Sequence, residues 1–154
     1  MKSKIGNLIL LLLPVLFLIV LFTQKDKLTN LVSSEMKLQT GTEVKASIQK
    51  LVDSLYNYQS NNESYGLTFL EFGAKGCVAC RKMEFVLDEV RQTYPAKVKV
   101  VFLNILQPQN QDMMKYYGIV AIPTQVLLDE NGEEYFRHTG FYSFEDLSKE
   151  FEIN

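Results

Sequence analysis

Cys77 and Cys80 are the two cysteines of the chain, and they stand where a β-type run gives way to a helical one. Upstream, Leu67-Thr68-Phe69-Leu70-Glu71-Phe72 is short, mostly apolar and rich in β-formers, which predicts a buried strand. Gly73-Ala74-Lys75-Gly76 interrupts it. Downstream, Met83, Val86, Leu87 and Val90 form the apolar stripe of an amphipathic helix expected from about Cys77 to Tyr94, stopped by Pro95. Residues i and i+3 of a helix lie roughly 5 to 6 Å apart, and a disulfide accepts Cα separations of about 4.4 to 6.8 Å. The two thiols are therefore placed to open and close a bond between them.

The position also tunes reactivity. Free N–H groups and the helix dipole favour an anion at a helix N-terminus, so a thiolate at Cys77 is favoured. Lys75, Arg81 and Lys82 add positive charge nearby, and a lowered thiol pKa makes a cysteine nucleophilic at neutral pH. Cys80, one turn further in, suits the role of the resolving thiol. Two other readings of the pair are weaker. A structural zinc site needs about four ligands, whereas this chain has no third cysteine and only His138. A purely structural disulfide across so short a span would restrain little chain entropy.

The remaining pattern supplies further elements. Val98 to Asn104 reads as a strand, residues near Gln109 to Tyr117 as a short helix ending at Gly118, and Gln125 to Leu128 as a strand entered through Ile122-Pro123-Thr124. Asp129-Glu130-Asn131-Gly132 is a hairpin turn, and Glu133 to His138 pairs back as a strand broken by Gly140. Ser143-Phe144-Glu145-Asp146 is a capping box opening a last helix. Before Leu67, the spacing of Val44, Ile48, Leu51, Val52 and Leu55 predicts a helix from Glu43, followed by a polar turn from Asn57 to Gly66.

In order and spacing, Leu70-Glu71-Phe72, the Cys77/Cys80 pair, Ile122-Pro123-Thr124 and the Asn131-Gly132 hairpin closely resemble the thioredoxin family. The resemblance implies an α/β thioredoxin fold, a central mixed β-sheet flanked by helices, over residues 43–154. It implies thiol:disulfide exchange through Cys77 and Cys80 with no cofactor beyond that redox pair. Val78-Ala79, between the cysteines, resembles the C-terminal domain of DsbD, the bacterial transmembrane disulfide reductase. Glu71 and Glu84 occupy the positions of that domain's two carboxylates, six residues before the first cysteine and four after the second.

Roles follow from the resemblance residue by residue. Cys77 attacks a substrate disulfide and Cys80 resolves the mixed disulfide. Glu71, buried behind the pair, accepts the Cys80 proton, because desolvation raises a carboxyl pKa toward neutrality. Pro123 is the cis-proline that lies beside the cysteines and presents backbone groups to an extended substrate. Glu84 and Lys75 tune the pair electrostatically, although a Glu on a helix face also serves as an ordinary solvated charge. His138 reads as a surface or packing residue.

Ile5 to Phe22 is an almost uninterrupted apolar run of 18 residues. At 1.5 Å per residue it covers about 27 Å of a hydrocarbon core roughly 30 Å thick. A cleaved signal peptide is the competing reading, with Lys2 and Lys4 as its basic n-region, but Phe22 to Lys27 offers no Ala-x-Ala-like site. The expected organisation is a signal anchor or transmembrane helix over 1–23, a tether over 24–42 and the thioredoxin-like domain over 43–154. Any strand near Met36 to Thr40 is not decided by the pattern.

Lysines flank the apolar run on both sides, so charge alone does not orient it. The short basic tail and the resemblance place the domain on the extracytoplasmic side of the cell membrane. The expected activity is reduction of protein disulfides, with a membrane thiol-electron transporter as donor. Oxidation or isomerisation by the same cysteines is the alternative within the enzyme class. A copper-handling module using Cys77, Cys80, His138 and a methionine is the alternative outside it. A net charge of −2 with no basic run gives no case for nucleic-acid binding.

Overall fold

The computed structural model describes residues 12–20 and 23–151. Strands β1 (Leu67–Gly73), β2 (Val98–Asn104), β3 (Thr124–Leu128) and β4 (Glu134–Thr139) form one sheet in the order β2-β1-β3-β4. β1 runs parallel to β2 and antiparallel to β3, and β3 pairs antiparallel with β4, so the sheet is mixed. β1 has a strand on each side and a layer on each face. Every one of its residues is buried, which is why it reads as a continuous apolar run rather than an alternating one.

Helices α1 (Lys25–Gln39), α2 (Thr42–Tyr56) and α3 (Tyr58–Asn61) precede the sheet; α4 (Val78–Thr93), α5 (Gln111–Tyr116) and α6 (Phe144–Lys149) lie between or after its strands. On one face, Ile48, Val52 and Tyr56 of α2 and Met113 of α5 pack on Leu70, Phe72, Leu103, Val126 and Leu128. On the other, Met83, Val86, Leu87 and Val90 of α4 and Leu147 of α6 pack on Leu67, Phe69, Val98 and Leu127. The helix expected near Gln109 is divided. A 3-10 turn over Pro108–Asn110 precedes α5, with the proline at its first position, where a backbone N–H has no partner to lose. The last helix, capped by Ser143, ends at Lys149, and residues 152–154 lie outside the described residues.

The segment read as a tether is instead largely helical, as α1, and is fixed to the domain. The stretch from Met36, where a strand was conceivable, is its last turn. Ser33 Oγ donates to the Gly118 carbonyl, and Lys37 Nζ meets Glu134 Oε2 at 3.0 Å. Arg137 on β4 donates through Nη1 to Ser33 Oγ at 2.7 Å, through Nη2 to the Tyr117 carbonyl at 2.7 Å, and through Nε to Glu134 Oε1 at 2.7 Å. Arg137–Glu134 is a local pair, but the bonds that dock α1, Ser33 to Gly118, Ser33 to Arg137 and Lys37 to Glu134, join residues 85 to 104 positions apart, so no local periodicity announces them. Gly118 sits at φ +62°, and a Cβ there would collide with the Ser33 carbonyl oxygen and lie 2.8 Å from Ser33 Oγ. Only glycine gives both that conformation and that approach.

Among the described residues no helix is long and apolar enough to cross a membrane. Of the run read as a span, residues 5–11 and 21–22 lie outside the described residues. Residues 12–20 are helical, and their large apolar side chains are about half exposed.

Candidate active site

The site forms where β1 ends. Gly73 closes the strand, Gly76 turns the chain at φ +92°, and Cys77 becomes the N-cap of α4. Its Sγ accepts the N–H of Cys80 at 3.1 Å, so a backbone donor at the helix start is aimed at the sulfur. A thiolate at that atom is stabilised by the same donor and by the helix dipole. Cys77 and Cys80 are joined in a disulfide with Cα atoms 5.2 Å apart, within the range read from their spacing. Cys77 is partly exposed and Cys80 is 3% exposed, which separates an outer sulfur from an inner one.

Cys80 packs over the end of β1. A Cβ on Gly73 would lie 3.5 Å from Cys80 Sγ and 2.7 Å from the Phe102 ring of β2. Glycine there makes room for the Phe102 ring, while the sulfur lies at ordinary contact distance from the strand. Glu71 lies two residues back on the same face, about 6.6 Å along the strand, and is wholly buried. Burial pushes its carboxyl up to about 8, and a hydrogen bond from Gln125 pulls in the opposite direction. Gln125 Nε2 donates to Glu71 Oε2 at 3.0 Å.

Pro123 follows a cis Ile122-Pro123 bond and is buried, and its carbonyl accepts the Gly140 N–H at 2.8 Å. β3 pairs Thr124 with Phe72, so one step further the register carries Pro123 to the level of Gly73. Lys75 and Glu84 are exposed. Glu84 lies on α4 beside a cleft of about 280 Å³ that it shares with Leu87, Asp88, Arg91 and Phe102. His138 is on the edge strand β4 and stacks on Tyr142 with ring centroids 4.4 Å apart. Among the described residues no group of three His, Cys, Asp or Glu side chains could hold a metal ion, and Cys77, Cys80 and His138 do not form one.

Gln125 is the residue the sequence reading passed over. The available signal was its polarity within the buried run Thr124 to Leu128, since a glutamine at a core strand position needs a partner.

A model of the thioredoxin-like domain family matches residues 51–153. Thioredoxin of Pseudomonas aeruginosa is 38% identical over 69 residues, which cover 45% of this chain and 62% of that protein. The chain thus spans less than two thirds of that relative. Thioredoxin of Bacillus subtilis is 29% identical over 103 residues, covering 67% of this chain and 93% of that protein. A mutant thioredoxin from Halobacterium salinarum shares the fold with a TM-score of 0.51 at 22% identity, over 57% of this chain and 74% of that one. The disulfide at the head of α4, the cis bond before β3 and the match across the sheet agree, and the chain belongs to the thioredoxin-like domain family.

Proposed function

We propose that this chain is a membrane-anchored thiol:disulfide oxidoreductase that reduces disulfides of extracytoplasmic proteins. The observation that carries it is the asymmetry of the pair: Cys77 partly exposed at a helix N-terminus, Cys80 buried behind it. In the reduced enzyme the Cys77 thiolate attacks one sulfur of a substrate disulfide. A mixed disulfide forms, and the other substrate sulfur leaves as a thiolate that takes a proton from solvent. The Cys80 thiol passes its proton to the Glu71 carboxylate, and the Cys80 thiolate attacks Cys77 Sγ. The Cys77–Cys80 bond forms, the second substrate thiolate departs, and the enzyme is left oxidised by two electrons. Pro123 and its neighbours line the place where an extended substrate segment lies, and Lys75 and Glu84 adjust the local potential.

Restoring the dithiol requires two electrons and two protons, which on the extracytoplasmic side come from a membrane thiol-electron transporter. The apolar run from Ile5 to Phe22 supplies the anchor. Leu28, Leu31, Val32 and Leu38 of α1 are 46 to 71% exposed and give that helix an apolar surface open to its surroundings. Such a surface is at home against lipid.

A Cys80→Ala variant expressed in cells arrests the cycle at the mixed disulfide. The expected captures on Cys77 are exported proteins; capture of cytosolic proteins alone would contradict the topology, and no capture would contradict the exchange. Partition of the chain into the alkaline-washed membrane fraction tests the anchor.

A further inference from the structure

One row of paired residues crosses the sheet directly below the cysteines. Phe102 of β2 faces Glu71 of β1, Glu71 faces Gln125 of β3, and Gln125 faces His138 of β4. Directly paired residues point to the same face. The neighbouring row, Val100, Phe69, Leu127 and Phe136, is wholly apolar. Two adjacent polar side chains, Glu71 and Gln125, therefore occupy the centre of this layer beneath α4, and both are 0% exposed.

Polar groups persist in such a layer at a cost unless they satisfy one another. Gln125 Nε2 satisfies Glu71 Oε2 at 3.0 Å, while Glu71 Oε1 is buried with no hydrogen-bond partner. The two carboxyl oxygens are thus inequivalent. One is held by an amide donor, and the other is free to carry a proton.

We propose that Gln125 is a positioning residue of the redox site, whose amide holds the buried Glu71 carboxyl by Oε2 so that Oε1 takes up and returns the Cys80 proton. This rests on the reading of Glu71 as proton acceptor given above and adds the group that governs it. The carboxylate is the form that gains from an N–H donor, so Gln125 works against the desolvation of the site and keeps the anion accessible. The groups around Glu71 leave that task to Gln125. Phe102 flanks it from β2, Cys80 lies above from α4, and beyond Gln125 on β4 stands His138, stacked on Tyr142.

The test is the titration of the Glu71 carboxyl carbon by NMR in the full chain, with the pH profile of mixed-disulfide release measured alongside. Gln125→Leu removes the donor at similar volume, and Gln125→Met does so with an unbranched chain should the leucine variant not fold. The expected result is an upward shift of the Glu71 midpoint by about one pH unit, with release at neutral pH roughly tenfold slower. In a Glu71→Gln background the same substitution leaves the profile where it is. A Glu71 midpoint that stays put or falls in both Gln125 variants overturns the proposal. The carboxyl titration does not depend on turnover, so a shifted midpoint in a chain that reduces no disulfide sinks the functional reading and leaves the hold of Gln125 on the carboxyl intact.

Discussion

Glu71 and Gln125 are register partners on adjacent antiparallel strands, and the amide of one donates to the carboxyl of the other in a layer closed to solvent. Burial holds Glu71 up to about 8, against an ordinary value of 4.5. The folded state therefore keeps the proton that the unfolded chain releases. The resulting stability is fully present below pH 4.5 and is lost progressively as pH rises toward 8. Glu71→Gln removes that dependence, and at pH 9 the variant is expected to be more stable than the parent by roughly 3 to 5 kcal/mol. Chemical denaturation of oxidised protein at pH 5 and pH 9 checks this; equal pH dependence in the two proteins would contradict it.

The two sulfurs should differ sharply in the reduced protein. Cys77 Sγ faces the Cys80 N–H at the head of α4 and is reached by solvent, whereas Cys80 is buried. Alkylation of the reduced chain is expected to modify Cys77 first, with a midpoint below the ordinary thiol value of about 8.5. Mass spectrometry of peptides carrying each cysteine gives the order. Equal rates at the two sites would remove the basis for separate attacking and resolving roles.

Arg137 fastens α1 to the sheet edge through Ser33, Glu134 and the Tyr117 carbonyl. Although burial raises the Glu134 carboxyl, its bonds to Arg137 and Lys37 outweigh that effect and hold it below the usual range. The stability it contributes is present above the unfolded carboxyl value and is lost as pH falls through the depressed one. Arg137→Ala is expected to raise amide exchange across Lys25–Gln39 by about tenfold or more while leaving β1 protected. Exchange confined to the parent level in α1 would show that this contact network does not hold the helix.

Gly118→Ala probes the same junction from the opposite side. The added methyl group meets Ser33 and requires a positive φ, at a combined cost of about 1 to 3 kcal/mol. Thermal unfolding should show the loss. Deleting α1 should reduce the steric part of that cost, since the colliding partner is then gone.

Strand and helix boundaries around the cysteines were legible because each is fixed by local chemistry. β1 is a run of β-formers ended by glycine, and α4 opens at Cys77 and closes at Tyr94 before Pro95. The cis bond at Pro123 was legible only through resemblance, since an X-Pro dipeptide does not by itself announce its isomer. α1 was not legible. Its Leu28, Leu31, Val32 and Leu38 face outward, while the residues that dock it, Ser33 and Lys37, are polar and find partners about a hundred residues away. Gln125 escaped for a related reason: its meaning depends on β3 lying beside β1 in one particular register. Pattern reports which residues seek burial, and cross-strand chemistry appears only once strands are paired.

Reaction of the fully reduced chain with a protein disulfide, followed as thiol release at pH 7 beside Cys77→Ser and Cys80→Ser variants, tests the dithiol most directly. The parent should reduce the substrate and end with Cys77 and Cys80 joined, Cys80→Ser should stop at a mixed disulfide on Cys77, and Cys77→Ser should be inert. Substrate disulfides left intact by the reduced parent, or reduced equally well without Cys77, would contradict the account.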